Sequence, residues 1–205
     1  EGLAESGVSL VTALPMCSIT GVDYGRVIRS LDGRLAKPAI DIPPESLAGD
    51  WLDGYAQTLN ALARGLGVSP GKRRPKTAAI VGYLMDRNEA DHIANIRELS
   101  RLLEALGLET VSVWLGGRSA AELKRVEEAE FIVSLPYGRS AAKRLATATG
   151  ARLVETELPF GLPKTLKFLR DVGEAAGKTA EAQALIDVEL SRVIPRLQWI
   201  IPQYF

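Results

Sequence analysis

Ala78-Ala-Ile-Val-Gly-Tyr-Leu84 begins a stretch, Thr77 to Thr165, in which short apolar runs alternate with segments of helical period. Three more runs follow, Thr110–Leu115, Phe131–Leu135 and Arg152–Glu155, and the stretch closes on Glu157-Leu-Pro-Phe-Gly-Leu-Pro-Lys-Thr165. Strand then helix, repeated, calls for a parallel sheet wrapped by helices. Ligands of such sheets sit beyond the carboxyl ends of the strands. The fold class read from this stretch is α/β, Rossmann-like, with helices on both faces of the sheet and part of a preceding α/β domain before it.

The segments between the runs carry their own signals. Ile93, Ile96, Leu99, Leu102, Leu103 and Leu106 fall on one helix face, and Gly107 ends it. Ser119 with Glu122 makes a capping box for the next helix. Ser140 reads as the cap of a helix that runs through Leu145 and stops at Gly150. Pro163 suits a first helical turn, followed by a face of Leu166, Leu169, Val172 and Ala176. Thr179 caps a last helix on which Ile186, Leu190, Val193, Ile194 and Leu197 align, with Pro195 as a kink.

Toward the N-terminus, Val68–Lys76 holds Gly71 and two prolines and is the best linker in the chain. It divides residues 1–70, the end of a first α/β domain, from a Rossmann-like domain over 71–178 and a connecting helix over 179–205. Within the first part, Asp50 caps a helix whose stripe is Trp51, Tyr55, Leu59, Leu62 and Leu66. Val8–Leu14 reads as a buried strand and Pro38–Ile42 as a second one, ended by Pro43-Pro44. Between them, Tyr24, Val27, Ile28 and Leu31 fall at helical spacing, with Gly33 as a stop. Cys17 lies in the loop past the first strand.

Composition narrows the function classes. Of 205 residues 46% are hydrophobic, which suits a packed core and not a disordered chain. Lys+Arg and Asp+Glu both number 25, so there is no sign of a nucleic-acid or anionic-membrane partner. Lys72-Arg73-Arg74 reads as a solvated cluster. No apolar run approaches membrane-span length, and the single cysteine fits a reducing cytoplasm. The chain opens on Glu1 and ends on the apolar Trp199–Phe205 tail, which suggests a segment of a longer protein that self-associates or packs its last helix onto a neighbour.

Candidate chemistry is sparse. There is no Gly-x-Gly-x-x-Gly after the first run of the stretch and no Walker-type Gly-Lys-Ser/Thr. Gly116-Gly117 reads as a tight turn, with anion binding as the alternative. His92, the only histidine, starts a helix as a surface residue. Cys17 is placed where a sulfur ligand of an iron–sulfur cluster could sit, and a small half-buried residue would look the same. Gly161 and Thr165 frame backbone amides that could face a ligand, and ordinary helix-start chemistry accounts for them equally well.

The chain resembles the middle section of the nitrogenase component 1 family, which covers nitrogenase molybdenum–iron protein subunits, their cofactor-assembly scaffolds and the dark-operative protochlorophyllide and chlorophyllide reductases. Ile19-Thr-Gly-Val-Asp23 is similar to the family's Ile-Gly-Asp-Asp turn, and Asp50–Leu62 to its helix with Gly-Tyr near the start. Ala79–Gly82, Leu99–Leu108 and Ser119–Phe131 follow its strand, its leucine-rich helix ending in Gly-Leu, and its Gly-Gly…Ala-Glu pattern. Pro159-Phe-Gly-Leu-Pro-Lys-Thr165 with Phe168-Leu169 resembles its Pro-x-Gly…Thr…Phe-Leu signature. The pieces occur in order through nearly the whole chain.

The resemblance implies repeated Rossmann-like domains in an assembly of homologous subunits. It implies an iron–sulfur cluster, electrons from an ATP-dependent iron protein, and reduction of dinitrogen or a tetrapyrrole, or assembly of a metallocofactor. It makes Cys17 the candidate metal ligand and Gly161 and Thr165 the candidate cofactor-binding residues. Two departures stand out. The family's third cluster cysteine falls where this chain has Pro15, so Cys17 is displaced from it. Where catalytic nitrogenase subunits carry a cofactor-binding cysteine, this chain reads Pro136-Tyr137-Gly138. The chain therefore looks closer to a β-type partner or scaffold. A reductase part, catalytically silent in isolation, is the leading expectation; the alternatives are a metallocofactor scaffold and a small-ligand α/β module.

Overall fold

The computed structural model describes residues 7–14, 16–17, 20–21, 23–31, 34–35, 37–43, 49–71, 73–83 and 91–197. Among them, six strands form two parallel sheets: β1 (Ser9–Thr12) with β2 (Ala39–Ile42), and a four-stranded sheet in the order β4-β3-β5-β6. In the larger sheet these are β3 (Thr77–Val81), β4 (Glu109–Val113), β5 (Phe131–Ser134) and β6 (Arg152–Glu155), and every pairing is parallel. The helices that connect or flank them are α1 (Tyr24–Ser30), α2 (Trp51–Gly65), α3 (His92–Ala105), α4 (Ala120–Lys124), α5 (Arg139–Thr149), α6 (Gly161–Ala175) and α7 (Thr179–Leu197).

The larger sheet is covered on both faces, as its apolar runs require. On one side Ala79, Val81 and Ile132 meet Leu59 and Leu62 of α2 and Ala141, Ala142 and Leu145 of α5. On the other, Ala78, Ile80 and Val133 meet Leu99, Leu102 and Leu103 of α3, Phe168, Leu169 and Val172 of α6, and Ile186 of α7. The core on the α2 side also takes in Ile40 of β2, so apolar contact runs across the Pro/Gly link from the small sheet to the large one.

Local chemistry sets most element ends. Asp50 accepts from the Leu52 and Asp53 amides, and the Asp53 carboxylate accepts from the Asp50 amide, closing a capping box. Gly150 ends α5 in the left-handed region at φ +72°, which a residue with a Cβ enters only at a cost. The Ser119 hydroxyl accepts from the Glu122 amide at 3.4 Å.

Several expectations shift. The cap of α5 is Gly138 and not Ser140, because Pro136–Gly138 forms a 3₁₀ turn that feeds straight into the helix. The strand expected over Val8–Leu14 is shorter and only half-buried, since among the described residues β1 pairs with β2 alone and its residues alternate in exposure. Trp51, placed in the apolar stripe of α2, is 62% exposed because it precedes the turns that meet the sheet. Phe168 is fully buried and belongs to the inner face of α6. Pro15, part of the Ile19–Asp23 turn, Gly33, most of the Met85–Asp91 loop and the Trp199–Phe205 tail lie outside the described residues. Among the described residues, no helix is long and apolar enough to cross a membrane.

Candidate functional site

From β3 the chain passes to β4 on one side and then returns to β5 on the other, so strand order reverses at the β3/β5 pair. A switch point of this kind is the usual crevice of an open α/β sheet. Here it is shut by backbone. A Cβ on Gly138 would stand 2.6 Å from Gly82 Cα, and one on Gly82 would fall closer still to the Gly138 amide nitrogen. The two glycines let the end of β3 and the 3₁₀ turn after β5 touch in this way. Arg139 ties down the neighbouring strand ends: its guanidinium donates to the carbonyls of Ser134 and Thr156, the latter at 2.6 Å.

The open space lies to one side, on the α3/α6 face. A cleft of about 480 Å³ is bounded by Tyr83 past β3, by Asn95, Glu98, Leu99 and Leu102 of α3, by Leu158, Pro159 and Phe160 past β6, by Thr165 of α6, and by Trp51 at the start of α2. Leu99 and Leu102 are core residues that show one edge to it. Trp51 and Phe160 stand at 62% and 80% exposure, two aromatic rings held at its rim without being part of the core.

Tyrosines fix the inner wall. The Tyr55 hydroxyl of α2 donates to the Tyr83 carbonyl, and the Tyr83 hydroxyl to the His92 carbonyl at 3.4 Å. Burial, and secondarily the neighbouring Tyr83, push the Tyr55 hydroxyl far above its ordinary value, so it stays a donor at any physiological pH. The charge in the lining is Glu98. Its hydrogen bonds from Arg101, at 2.7 and 2.8 Å, hold its carboxyl below the ordinary carboxylate range. Arg101 in turn reaches Glu189 of α7 at 2.9 Å. The result is a largely apolar, aromatic-rimmed cleft with one fixed carboxylate and one amide, suited to a molecule with a broad apolar face.

The residues that the sequence singles out fall unevenly. Thr165 lines the cleft, but its hydroxyl donates to the Gly161 carbonyl at 2.8 Å within α6. Gly161 begins α6 at φ +74°, one residue past Phe160, and the N-terminus of this helix has no side-chain cap. Cys17 is remote in chain order, past β1, and half-buried. Its sulfur accepts a hydrogen bond from the Tyr24 hydroxyl at 3.1 Å, which raises the tyrosine's pKa. Gly116 and Gly117 form a plain turn, with the Gly116 amide on the Val113 carbonyl. Trp51, Tyr83, Asn95, Glu98 and Phe160 join the site without having been singled out by sequence. The one available signal was an aromatic at the first position of a helix and another inside a Pro-x-Gly turn.

An iron–sulfur cluster needs more sulfur donors than this chain holds. Clusters are held mainly by several cysteine thiolates, and this chain has one cysteine. Among the described residues no group of three His, Cys, Asp or Glu could hold a metal ion. The chain's own residues therefore do not fit a cluster, and Cys17 can serve only as one ligand of a cluster completed from elsewhere.

A parallel sheet clad on both faces, with a cleft past its strand ends, defines a Rossmann-like α/β protein. The sequence pattern of nitrogenase component 1 type oxidoreductases matches residues 10–203, and the chain belongs to that family. It is similar to a light-independent protochlorophyllide reductase subunit of Rhodopseudomonas palustris strain TIE-1, 28% identical over 169 residues, covering 78% of this chain and 31% of that protein. The corresponding protein of Halorhodospira halophila is 33% identical over 136 residues, covering 60% of this chain and 25% of that protein. A solved structure titled "Nitrogenase Cp1 at pH 6.5" superposes with a TM-score of 0.72 at 20% identity, over 95% of this chain and 46% of that one. The chain thus spans about a quarter to a third of these curated relatives and under half of the solved chain.

Proposed function

We propose that this chain is part of a component 1 type oxidoreductase in which the cleft past β3 and β6 holds the apolar flank of the molecule being reduced. The observation that carries this is the cleft itself, at the strand-end position where α/β sheets bind ligands, in a chain whose relatives are named protochlorophyllide reductase subunits. Trp51 and Phe160 stack on the ligand from the rim, and Tyr83, Leu99 and Leu102 exclude water from its inner face. Glu98, kept ionised by Arg101, sets the ligand's orientation by accepting from a donor group or repelling an anionic one. Gly161 lets the chain turn into α6, whose N-terminus has no side-chain cap, between the cleft residues Phe160 and Thr165.

In this reading a homologous component 1 subunit supplies the walls that this chain lacks, and an ATP-dependent iron protein is the source of electrons. An iron–sulfur cluster in the assembly is held mainly by residues outside this chain, with Cys17 contributing at most one ligand. Titration of the chain with protochlorophyllide, followed by visible absorption, tests the substrate class. Saturable one-to-one binding supports it. No binding of the tetrapyrrole, together with capture of a metallocofactor precursor, would assign the cleft to a scaffold instead.

A further inference from the structure

Glu98 borders the cleft past β3 and β6, and 56% of its side chain is open to solvent. A carboxylate on such a helix surface ordinarily swings among several rotamers, and ordering it costs side-chain entropy. Here Arg101, one turn further along α3, meets it as a fork. Arg101 Nε donates to Glu98 Oε2 at 2.8 Å, and Nη2 donates to Oε1 at 2.7 Å. A fork within one helix fixes the two side chains to each other and leaves the pair free to swing together.

A third hydrogen bond removes that freedom. Arg101 Nη1 donates to Glu189 Oε1 of α7 at 2.9 Å. Glu189 is the least exposed of the three, with 23% of its side chain open to solvent. It follows Ile186 by one turn, and Ile186 is seated in the core on this face of the sheet. The helix itself lies close on α6, where a Cβ on Gly173 would stand 2.5 Å from the Ala182 Cβ. Packing therefore sets the place of the Glu189 carboxylate, while Arg192 adds only a 3.8 Å contact to the same oxygen. Among the described residues α7 contributes nothing to the cleft lining, so Glu189 reaches the cleft through Arg101 alone.

We propose that Glu189, acting through Arg101, is a positioning residue for the cleft: α7 anchors the guanidinium, and the guanidinium holds the Glu98 carboxylate in one orientation toward the ligand. The inference rests on the reading of that cleft as a ligand site. Exposed ion pairs of this kind add little stability, so the effect of this one is on geometry. Arg101 divides its charge between two carboxylates, and it orients Glu98 without cancelling the negative charge at the cleft. Helix α7 thus takes part in selecting the ligand without touching it.

The test is a double-mutant cycle on the 205-residue chain, with Glu98→Ala, Glu189→Ala and both together, read as the dissociation constant for protochlorophyllide. Glu189→Ala should change the constant about threefold, in the same direction as Glu98→Ala, and should change nothing once Glu98 is already alanine. An effect of Glu189→Ala that persists in the Glu98→Ala background marks a merely structural role and would overturn the proposal. So would binding that is unchanged by Glu189→Ala. A second arm needs no ligand: NMR of the Arg101 side chain measures rotation of the guanidinium about its Nε–Cζ bond. Rotation should speed severalfold in Glu189→Ala, and an unchanged rate would overturn the anchoring by α7. Absence of tetrapyrrole binding in all four proteins would sink the substrate reading instead, and the rotation rates would then decide the positioning claim.

Discussion

Gly138 shows how much a single residue settles. Its neighbour across the switch point is backbone, so an added methyl group has no flexible side chain to displace. Gly138→Ala should destabilise the chain by about 1–3 kcal/mol, seen as a lower denaturation midpoint, while Gly150→Asn at a site with a permissive left-handed conformation should cost less. Cys17 makes the opposite kind of claim, since the described residues form no group of three His, Cys, Asp or Glu that could hold a metal ion. Anaerobic reconstitution with iron and sulfide should give no cluster absorption in the wild type or in Cys17→Ser. Absorption that is present in the wild type and lost in the variant would mean that copies of the chain share a cluster through this sulfur. At this scale the sequence was least informative. Thr165 was legible from its Pro-x-Gly context, but Glu98 and Trp51 were not, because nothing in a helix pattern says which exposed positions converge on another element, and Tyr83, buried just past β3, read only as core.

Elements were more legible than residues. Alternation of apolar runs with helical stripes located all four strands of the large sheet, most plainly β3 and β5, which are buried along their whole length. The misplaced cap of α5 had a physical cause: a serine before a helical stripe looks like a cap, and only the 3₁₀ turn from Pro136 shows that the helix has already begun. The Asp50–Asp53 box was legible because it is purely local. Asp50→Ala should therefore cost about 1 kcal/mol, within the usual range of cap replacements, measured as a shift in urea midpoint. Since α2 carries both Trp51 to the cleft rim and Tyr55 to the Tyr83 carbonyl, the same variant should loosen the inner wall.

For the whole molecule, the three-helix side of the sheet is joined by the chain Glu98–Arg101–Glu189, which links α3 to α7 beside the cleft. The folded pKa of Glu98 lies below its ordinary value of 4.5. Its contribution is therefore complete above that value and is lost as pH falls through the lower, folded one. The pair is largely exposed, so the loss is small, about 0.2–1 kcal/mol. Glu98→Gln should show a correspondingly flatter decline of stability with acid below pH 4.5.

At the same scale, the cleft past β3 and β6 brings the segments after β3 and β6 together with α2, α3 and α6 around open space, and it is the proposed ligand site. Trp51 and Phe160 allow a clean test because both are exposed and their removal leaves the core untouched. The measurement is the dissociation constant for protochlorophyllide in wild type, Trp51→Ala and Phe160→Ala, with unfolding midpoints recorded alongside. Unchanged midpoints are expected, with binding weaker by roughly tenfold in each variant. Binding that is equal in all three proteins would contradict this and put the ligand elsewhere on the chain.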